Sequence, residues 1–122
     1  MTKEELKNRN KKFAIEVVRL MRAMPNDRIF DSLVRQVVRS STSIGANYRA
    51  ACRGKSSADF LNKLKIVEEE TDETIYFLDI INDVEGGKNR NEFERLMKEG
   101  NELLSIYVAS LKTVRANSNR KS

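Results

Sequence analysis

Apolar residues recur in four separate segments of this chain, at steps that alternate between four and three residues. The fourth segment shows the pattern in full, with Phe93, Met97, Gly100, Leu104, Tyr107, Leu111 and Val114. Such steps place side chains on one face of an α-helix, and extra apolar neighbours widen each face as a bundle core requires. No segment alternates with period two for long enough to indicate a strand. The pattern predicts helices at about residues 3–24, 27–53, 57–85 and 90–116.

Capping and turn residues fall between these segments. Three pairs place a capping side chain three residues before a carboxylate: Thr2 with Glu5, Ser56 with Asp59, and Asn89 with Glu92. Pro25 breaks the chain between the first two helices. Gly54 is expected to end the second helix in the left-handed conformation, and Gly86 with Gly87 to end the third.

The connections between the predicted helices are only a few residues long, so neighbouring helices must run antiparallel. The predicted fold is all-α, an antiparallel up-down-up-down four-helix bundle forming one domain over residues 3–117. The last residues, 118–122, have no apolar side chain to anchor them and are predicted to be disordered. Ser41, Thr71 and Thr74 are polar on the core face, where a hydroxyl is expected to bond the carbonyl one turn back.

Composition indicates a helical protein of the cytoplasm. Charged residues make up 34% of the 122 residues, with one proline and a net charge of +5. The single cysteine, Cys52, excludes an internal disulfide and fits a reducing compartment. No apolar run approaches the ~20 residues of a membrane span, and the first residues do not resemble a signal peptide. We therefore expect a cytoplasmic location and no membrane partner.

Catalysis is disfavoured by the residues that the chain lacks. There is no histidine, which removes the commonest general base and metal ligand, and no glycine-rich phosphate loop is present. Cys52 is more simply a half-buried packing residue than a nucleophile, because no histidine exists to pair with it. We predict a protein that is not an enzyme, with no cofactor and no metal.

Charge is unevenly distributed along the bundle. Residues 1–25 and 26–55 each carry a net charge of +4, residues 56–85 carry −7, and residues 86–122 carry +4. Within the second helix, five arginines fall in an arc of roughly 80° at 100° per residue. These residues, called the arginine stripe below, are Arg28, Arg35, Arg39, Arg49 and Arg53. Small Thr42 and Ala46 in the middle of the stripe would let another surface approach closely.

Three interpretations of the stripe are open at this point. Its arginines are solvated, or they pair with carboxylates of the third helix within the bundle or on another subunit, or they bind nucleic-acid phosphates. The candidate residues for a subunit interface are carboxylates of the acidic third helix: Glu68, Glu70, Asp72 and Glu73. Carboxylates four apart also suit a hard cation, but a solvated or partner-facing surface is the simpler interpretation. Little aromatic interleaving accompanies the stripe, so base stacking is not indicated.

Residues around the junction of the second and third helices resemble a known family. The motifs are Ser43-Ile44-x-x-Asn47-Tyr48-Arg49, then Ser56-x-x-Asp59-Phe60-x-x-Lys63-Leu64, then Glu70-x-x-Glu73-Thr74-x-Tyr76-Phe77-Leu78. They are similar to those of the 23S rRNA intervening-sequence proteins, four-helix bundles encoded in inserts within bacterial ribosomal RNA genes and elsewhere in bacterial genomes. Related bundles include the accessory protein of diversity-generating retroelements, which works with a reverse transcriptase and its RNA.

The resemblance implies a bundle that assembles as a ring, pentameric in family members, with a basic surface proposed to bind structured nucleic acid. Asn47 and Arg49 match the motif of the second helix, and Ser56, Asp59, Phe60 and Lys63 match the start of the third. The chain departs from the family at Ala50, where a glutamate is usual, and this makes the stripe more basic. A basic face meeting the acidic helix of the next subunit is an independent physical reason for a ring.

The sequence thus favours a homo-oligomeric protein that binds structured RNA, in preference to DNA, through a basic arginine-rich surface. The candidate nucleic-acid-binding residues are Arg28, Arg35, Arg39, Arg49, Arg53 and Lys55, helped by cations of the first helix. The alternative is a structural homo-oligomer, or an adaptor for a protein partner such as a reverse transcriptase, whose arginines form salt bridges with subunit or partner.

Overall fold

The protein, described from a computed structural model, folds as a four-helix bundle. The structure describes the backbone of residues 1–121 and the side chains of residues 1–117 and 119. Its helices are α1 (Lys3–Met21), α2 (Arg28–Cys52), α3 (Ser57–Glu85) and α4 (Arg90–Lys121). Over the described residues there is no strand, and each helix contacts its neighbours in sequence while α4 closes the bundle against α1. The predicted all-α antiparallel fold is confirmed.

Side-chain caps fix where three helices begin. Thr2 Oγ1 accepts a hydrogen bond from the Glu5 amide at 3.0 Å, and Ser56 Oγ accepts one from the Asp59 amide at 3.1 Å. The third cap is Asp27, whose Oδ1 accepts from the Phe30 amide at 2.9 Å. Each cap satisfies an amide that has no partner within its own helix, which contributes about 1 kcal/mol.

The helix ends depart from the sequence prediction in three places. α1 ends at Met21 and not near residue 24, because Pro25 disfavours helical backbone at the residue before it. Gly54 does not adopt the left-handed conformation, since the described glycines with positive φ are Gly86 (81°) and Gly87 (89°). A side chain at Gly54 would instead crowd the Phe60 amide, its Cβ lying 3.2 Å from that nitrogen. The glycine is needed for close approach of α2 and α3.

The third difference concerns the fourth helix. α4 continues to Lys121, past the predicted end near residue 116, because neither glycine nor proline follows Gly100 to end it. The residues predicted as a disordered tail, 118–122, therefore include four helical positions, and Ser122 lies outside the described residues. At the other end, the Asn89 side chain does not cap α4. Its Nδ2 donates back to Glu85 Oε2 at 2.8 Å.

The core occupies the centre of the bundle along its whole length. On α4 the buried residues are Phe93, Leu96, Gly100, Leu103, Tyr107 and Leu111, so Leu96 and Leu103 replace the predicted Met97 and Leu104, which are half-buried. Between α2 and α3 the apolar core also contains small polar residues. Thr74 Oγ1 shares a 2.7 Å hydrogen bond with Ser40 Oγ and lies 2.8 Å from the Glu70 carbonyl, and Thr71 Oγ1 donates to the Val67 carbonyl. The predicted local hydroxyl bonds are confirmed.

Candidate nucleic-acid interface

The arginine stripe lies on the outer surface of α2, and all five arginines and Lys55 are exposed. Arg28 begins the helix and Arg53 caps its other end, so the 25-residue helix separates them by about 37 Å at ~1.5 Å per residue. Phosphates recur every ~3.4 Å along one strand of a duplex, so the stripe spans many of them. The two ends of the stripe would therefore contact different phosphates.

In the first half of the stripe, Arg35 and Arg39 are already paired with carboxylates, whereas Arg28 forms no ion pair with a described side chain. Arg39 Nη1 donates to Glu70 Oε1 at 3.2 Å, and Arg39 Nη2 lies 2.5 Å from Glu73 Oε2, both across the α2–α3 contact. The hydrogen bond that Arg39 donates to Glu70 is the main cause that raises the pKa of Arg39. Arg35 pairs with Asp31 one turn away at 3.2 Å, in a pair that is highly exposed and therefore weak. These arginines are partly neutralised by their own chain.

The second half of the stripe is open. Arg49, Arg53 and Lys55, called the basic cluster below, form no ion pair with any described side chain. They lie where α2 ends and α3 begins, at the end of the bundle where α1 starts with Lys3 and Lys7. Like charges converge here, and of these five cations only Lys7 forms an ion pair with a described side chain, the exposed Glu4 at 3.9 Å. The excess of positive charge creates a positive potential toward solvent.

A groove between α1 and α2 extends the basic cluster onto α1. Its charged rim consists of Lys7, Lys11 and Arg49, opposed by Glu4 alone. The groove is also lined by buried Asn10 and by small residues, namely Ala14, Thr42, Gly45 and Ala46. We call this cleft, with a volume of about 520 Å³, the α1–α2 groove.

The four predicted interface carboxylates divide into two pairs. Glu70 and Glu73 are engaged by Arg39 of the same chain. Glu68 is half-buried and Asp72 exposed, and neither forms an ion pair with a described side chain. Within the described side chains, no group of three histidine, cysteine, aspartate or glutamate residues is placed to hold a metal ion. No described helix is both long and apolar enough to cross a bilayer.

Sequence reasoning missed a network of ion pairs that joins α1 to α4. Arg9 donates to Glu99 at 2.8 and 2.6 Å and to Glu102 at 2.8 Å. The bond from Arg9 is the main cause that lowers the pKa of Glu99. Arg95 bridges Glu16 and Glu92 on the same seam. Some 90 residues separate Arg9 from Glu99, so only the folded arrangement of the helices brings these charges together.

Beneath this seam lies a polar contact inside the core. The Tyr107 hydroxyl donates to Asn10 Oδ1, and both residues have no exposed surface. Burial is the main cause that raises the pKa of Tyr107. Asn10 Nδ2 has no hydrogen-bond partner among the described residues. Tyr48 packs against Tyr107 with ring centres 6.2 Å apart, and half-buried Cys52 lies beside Tyr48.

A second groove, between α3 and α4, was also missed. Tyr76 is 62% exposed there although its ring is large and apolar. The surrounding acidic side chains are Asp72, Asp79, Glu94 and Glu102, with Lys98 as the lining cation. The bundle thus has a basic α1–α2 side and an acidic α3–α4 side that carries an exposed aromatic ring.

Comparisons with known proteins agree with this fold. A family model described as 23S rRNA-intervening sequence protein matches residues 3–109. The chain is also similar to the crystal structure of a protein of unknown function from the S23 ribosomal protein family of Bacteroides thetaiotaomicron VPI-5482. That structure is 31% identical, with a TM-score of 0.82, and the match covers 92% of this chain and 99% of the other. A comparison with curated proteins found no match.

Proposed function

Since the matched residues span most of its length, the chain belongs to the family of 23S rRNA-intervening sequence proteins, and we propose that it binds structured RNA. The observation that carries the proposal is the open basic cluster. Arg49, Arg53 and Lys55 are exposed on one end of the bundle, and their side chains form no ion pair with a described carboxylate, while those of Arg35 and Arg39 do. Cations that the fold itself does not use are free to neutralise phosphates.

The mode of binding follows from the types of side chain. A planar guanidinium gives two parallel hydrogen bonds to a phosphate, and Lys55 adds a point charge. Arginine and lysine contacts to phosphates give affinity and orientation but carry no base sequence. We therefore propose binding of the RNA backbone and of its shape, without catalysis. RNA is the proposed ligand in preference to DNA because of the family to which the chain belongs.

A matched pair of triple variants tests the proposal. Arg49→Gln, Arg53→Gln and Lys55→Gln together remove three charges from the basic cluster. The control, Arg22→Gln, Lys88→Gln and Arg90→Gln, removes two arginines and one lysine from the opposite end of the bundle. All three control side chains are exposed and form no ion pair with described residues.

Binding of an RNA hairpin is measured for both variants at one salt concentration. We expect the cluster variant to lose at least ~10-fold in affinity and the control to change little, since phosphate contacts dominate non-specific affinity. Equal losses in the two variants would mean that only net charge matters. Unchanged binding by the cluster variant would refute the assignment of this surface.

The acidic side supports a second candidate function, assembly of identical subunits or attachment of a protein partner. The exposed Tyr76 ring lies beside Asp72 and Asp79, which form no ion pair with a described side chain. Exposed aromatic groups and complementary charge are features of protein interfaces. We propose a homo-oligomer, as in the pentameric ring that the family resemblance implies, with a reverse transcriptase as one possible type of partner. Light scattering on Tyr76→Ser tests it: a fall in molecular mass is expected if the ring is buried between subunits.

A further inference from the structure

The α1–α2 groove combines a positively charged rim with small uncharged lining residues. Its outer rim is cationic, with Lys7 and Lys11 on α1 facing Arg49 on α2. Gly45 and Ala46 line the groove on the α2 side, and their small size leaves a cleft where longer side chains would fill the space. The opposing carboxylate, Glu4, lies 3.9 Å from Lys7 and its side chain is 76% exposed, so it neutralises little of this charge.

A buried donor without an acceptor lines the same groove. Asn10 has no exposed surface, and its Oδ1 is used by the Tyr107 hydroxyl. Its Nδ2 has no partner among the described residues, although buried amide donors are almost always hydrogen bonded. Three cations therefore surround one cleft, beside a buried amide with a spare donor, and an anion with several acceptor oxygens would pair with the three cations together.

We propose that the α1–α2 groove seats a phosphate group. Lys7, Lys11 and Arg49 neutralise the anion at the rim of the groove. The proposal deepens the function proposed above and rests on it, because the phosphate is one of the RNA backbone. Small Ala46 allows the sugar–phosphate chain to approach α2 closely, while Arg53 and Lys55 contact the neighbouring phosphates outside the groove.

Two substitutions, each with a matched control, distinguish binding in the groove from a general effect of charge. Ala46→Leu fills the cleft on an exposed helical position without changing any charge, and Ala109→Leu makes the same change on the exposed face of α4. Lys11→Gln removes a rim cation. Lys12→Gln, on the same helix but outside the groove, is its control with the same net charge. Binding of an RNA hairpin is measured for all four, and their molecular mass is followed by light scattering.

We expect Ala46→Leu and Lys11→Gln each to weaken RNA binding by about tenfold at constant mass, with the two controls within about twofold of wild type. If wild type binds RNA and Ala46→Leu binds equally well, the groove does not hold a backbone phosphate, and the basic cluster alone accounts for binding. If the groove variants lose mass as well as affinity, the groove holds another protein subunit and the proposal is wrong.

Titration with inorganic phosphate distinguishes the source of the anion. The amide resonances of Gly45 and of the residue at position 46 are followed in wild type and in Ala46→Leu. Saturable shifts in wild type that disappear in the variant support a phosphate seat even if the hairpin does not bind, in which case the RNA function fails and free phosphate is the ligand. Absence of both RNA binding and phosphate shifts in wild type overturns the two proposals together.

Discussion

Arg39 on α2 donates a hydrogen bond from Nη1 to Oε1 of Glu70 on α3, at 3.2 Å within one chain. From the sequence, arginines of the stripe were expected to meet carboxylates of the third helix either within the bundle or on another subunit. Arg39 and Glu70 meet within the bundle. Arg39 therefore joins α2 to α3, which makes it a weaker candidate for phosphate binding than the unpaired cations of the basic cluster. The distinction separates the two halves of the arginine stripe.

The energy of this pair is expected to be small. A double-mutant cycle with Arg39→Gln and Glu70→Gln should give a coupling of about 0.5–1 kcal/mol in the free energy of unfolding, because the Arg39 side chain is 54% exposed. Urea denaturation measures it. A coupling several times larger would indicate that the pair is desolvated, for example in a subunit contact that covers it.

Releasing Arg39 should strengthen RNA binding. Glu70→Gln with Glu73→Gln removes both acceptors and leaves the guanidinium open beside the rest of the stripe. We expect affinity for an RNA hairpin to rise and the salt dependence to steepen, by about 0.9 in log–log slope for one added duplex phosphate contact. Asp83→Asn with Glu94→Gln, an equal change of charge at two exposed carboxylates that form no ion pair with a described side chain, is the control. A similar gain in the control would show that net charge alone is responsible.

Two helical glycines should respond to alanine in opposite directions. A Cβ at Gly100 would lie 2.9 Å from Ile75 Cγ1 and 3.4 Å from Phe13 Cζ, so Gly100→Ala overfills the core. At Gly45 the nearest atom is Asn10 Cβ at 3.5 Å, an ordinary contact. We expect Gly45→Ala to stabilise by about 0.5–1 kcal/mol through helix propensity, and Gly100→Ala to destabilise by about 1–3 kcal/mol. Thermal unfolding of both variants checks the signs, and stabilisation by Gly100→Ala would show that the core yields there.

The buried hydrogen bond between Tyr107 and Asn10 should matter to stability. Tyr107→Phe keeps the ring but leaves Asn10 Oδ1 without its donor, which is expected to cost about 1–3 kcal/mol because the amide has no exposed surface. Tyr76→Phe, which removes a hydroxyl from an exposed ring, is the control and should be nearly neutral. Equal stability of wild type and Tyr107→Phe in denaturant would mean that water replaces the lost bond.

The pairing of Arg9 with Glu99 should make stability depend on pH in the acidic range. The folded protein holds the pKa of Glu99 below its ordinary value of 4.5, so the unfolded chain binds the proton more readily. The stabilisation is complete above that ordinary value and is lost as pH falls through the lower folded pKa. Arg9→Gln should remove this dependence, so the difference in unfolding free energy between wild type and variant should shrink on acidification. A difference that stays constant from neutral pH to below 4 would contradict the assignment.

Local signals explain which parts of the fold were predictable. The bounds of α3 were predicted because Ser56 is a strong cap at one end and Gly86 adopts φ of 81° at the other. The core face of α4 was predicted only in part, because the sequence has pairs of adjacent apolar residues and does not show which member of each pair is buried. Leu96 is buried and Met97 half-buried, a choice made by the packing of α4 against α3 and α1.

The candidate site was predictable only in part, for a related reason. Periodicity placed all five stripe arginines on the outer face of α2, where the structure has them. It could not distinguish Arg39, which meets Glu70 across a helix contact, from Arg49, which meets no described carboxylate. The α1–α2 groove depends on Lys11 and Ala46, which are far apart in sequence and become neighbours only when the helices pack.

The most direct test of the central claim is the salt dependence of RNA binding by the wild-type protein. The affinity for an RNA hairpin is measured over a series of salt concentrations. If the basic cluster neutralises three duplex phosphates, the logarithm of the association constant should fall linearly with the logarithm of the salt concentration, with a slope of about −3 or steeper. Absence of binding at low salt, or binding that does not change with salt, would contradict the proposal that these cations bind RNA.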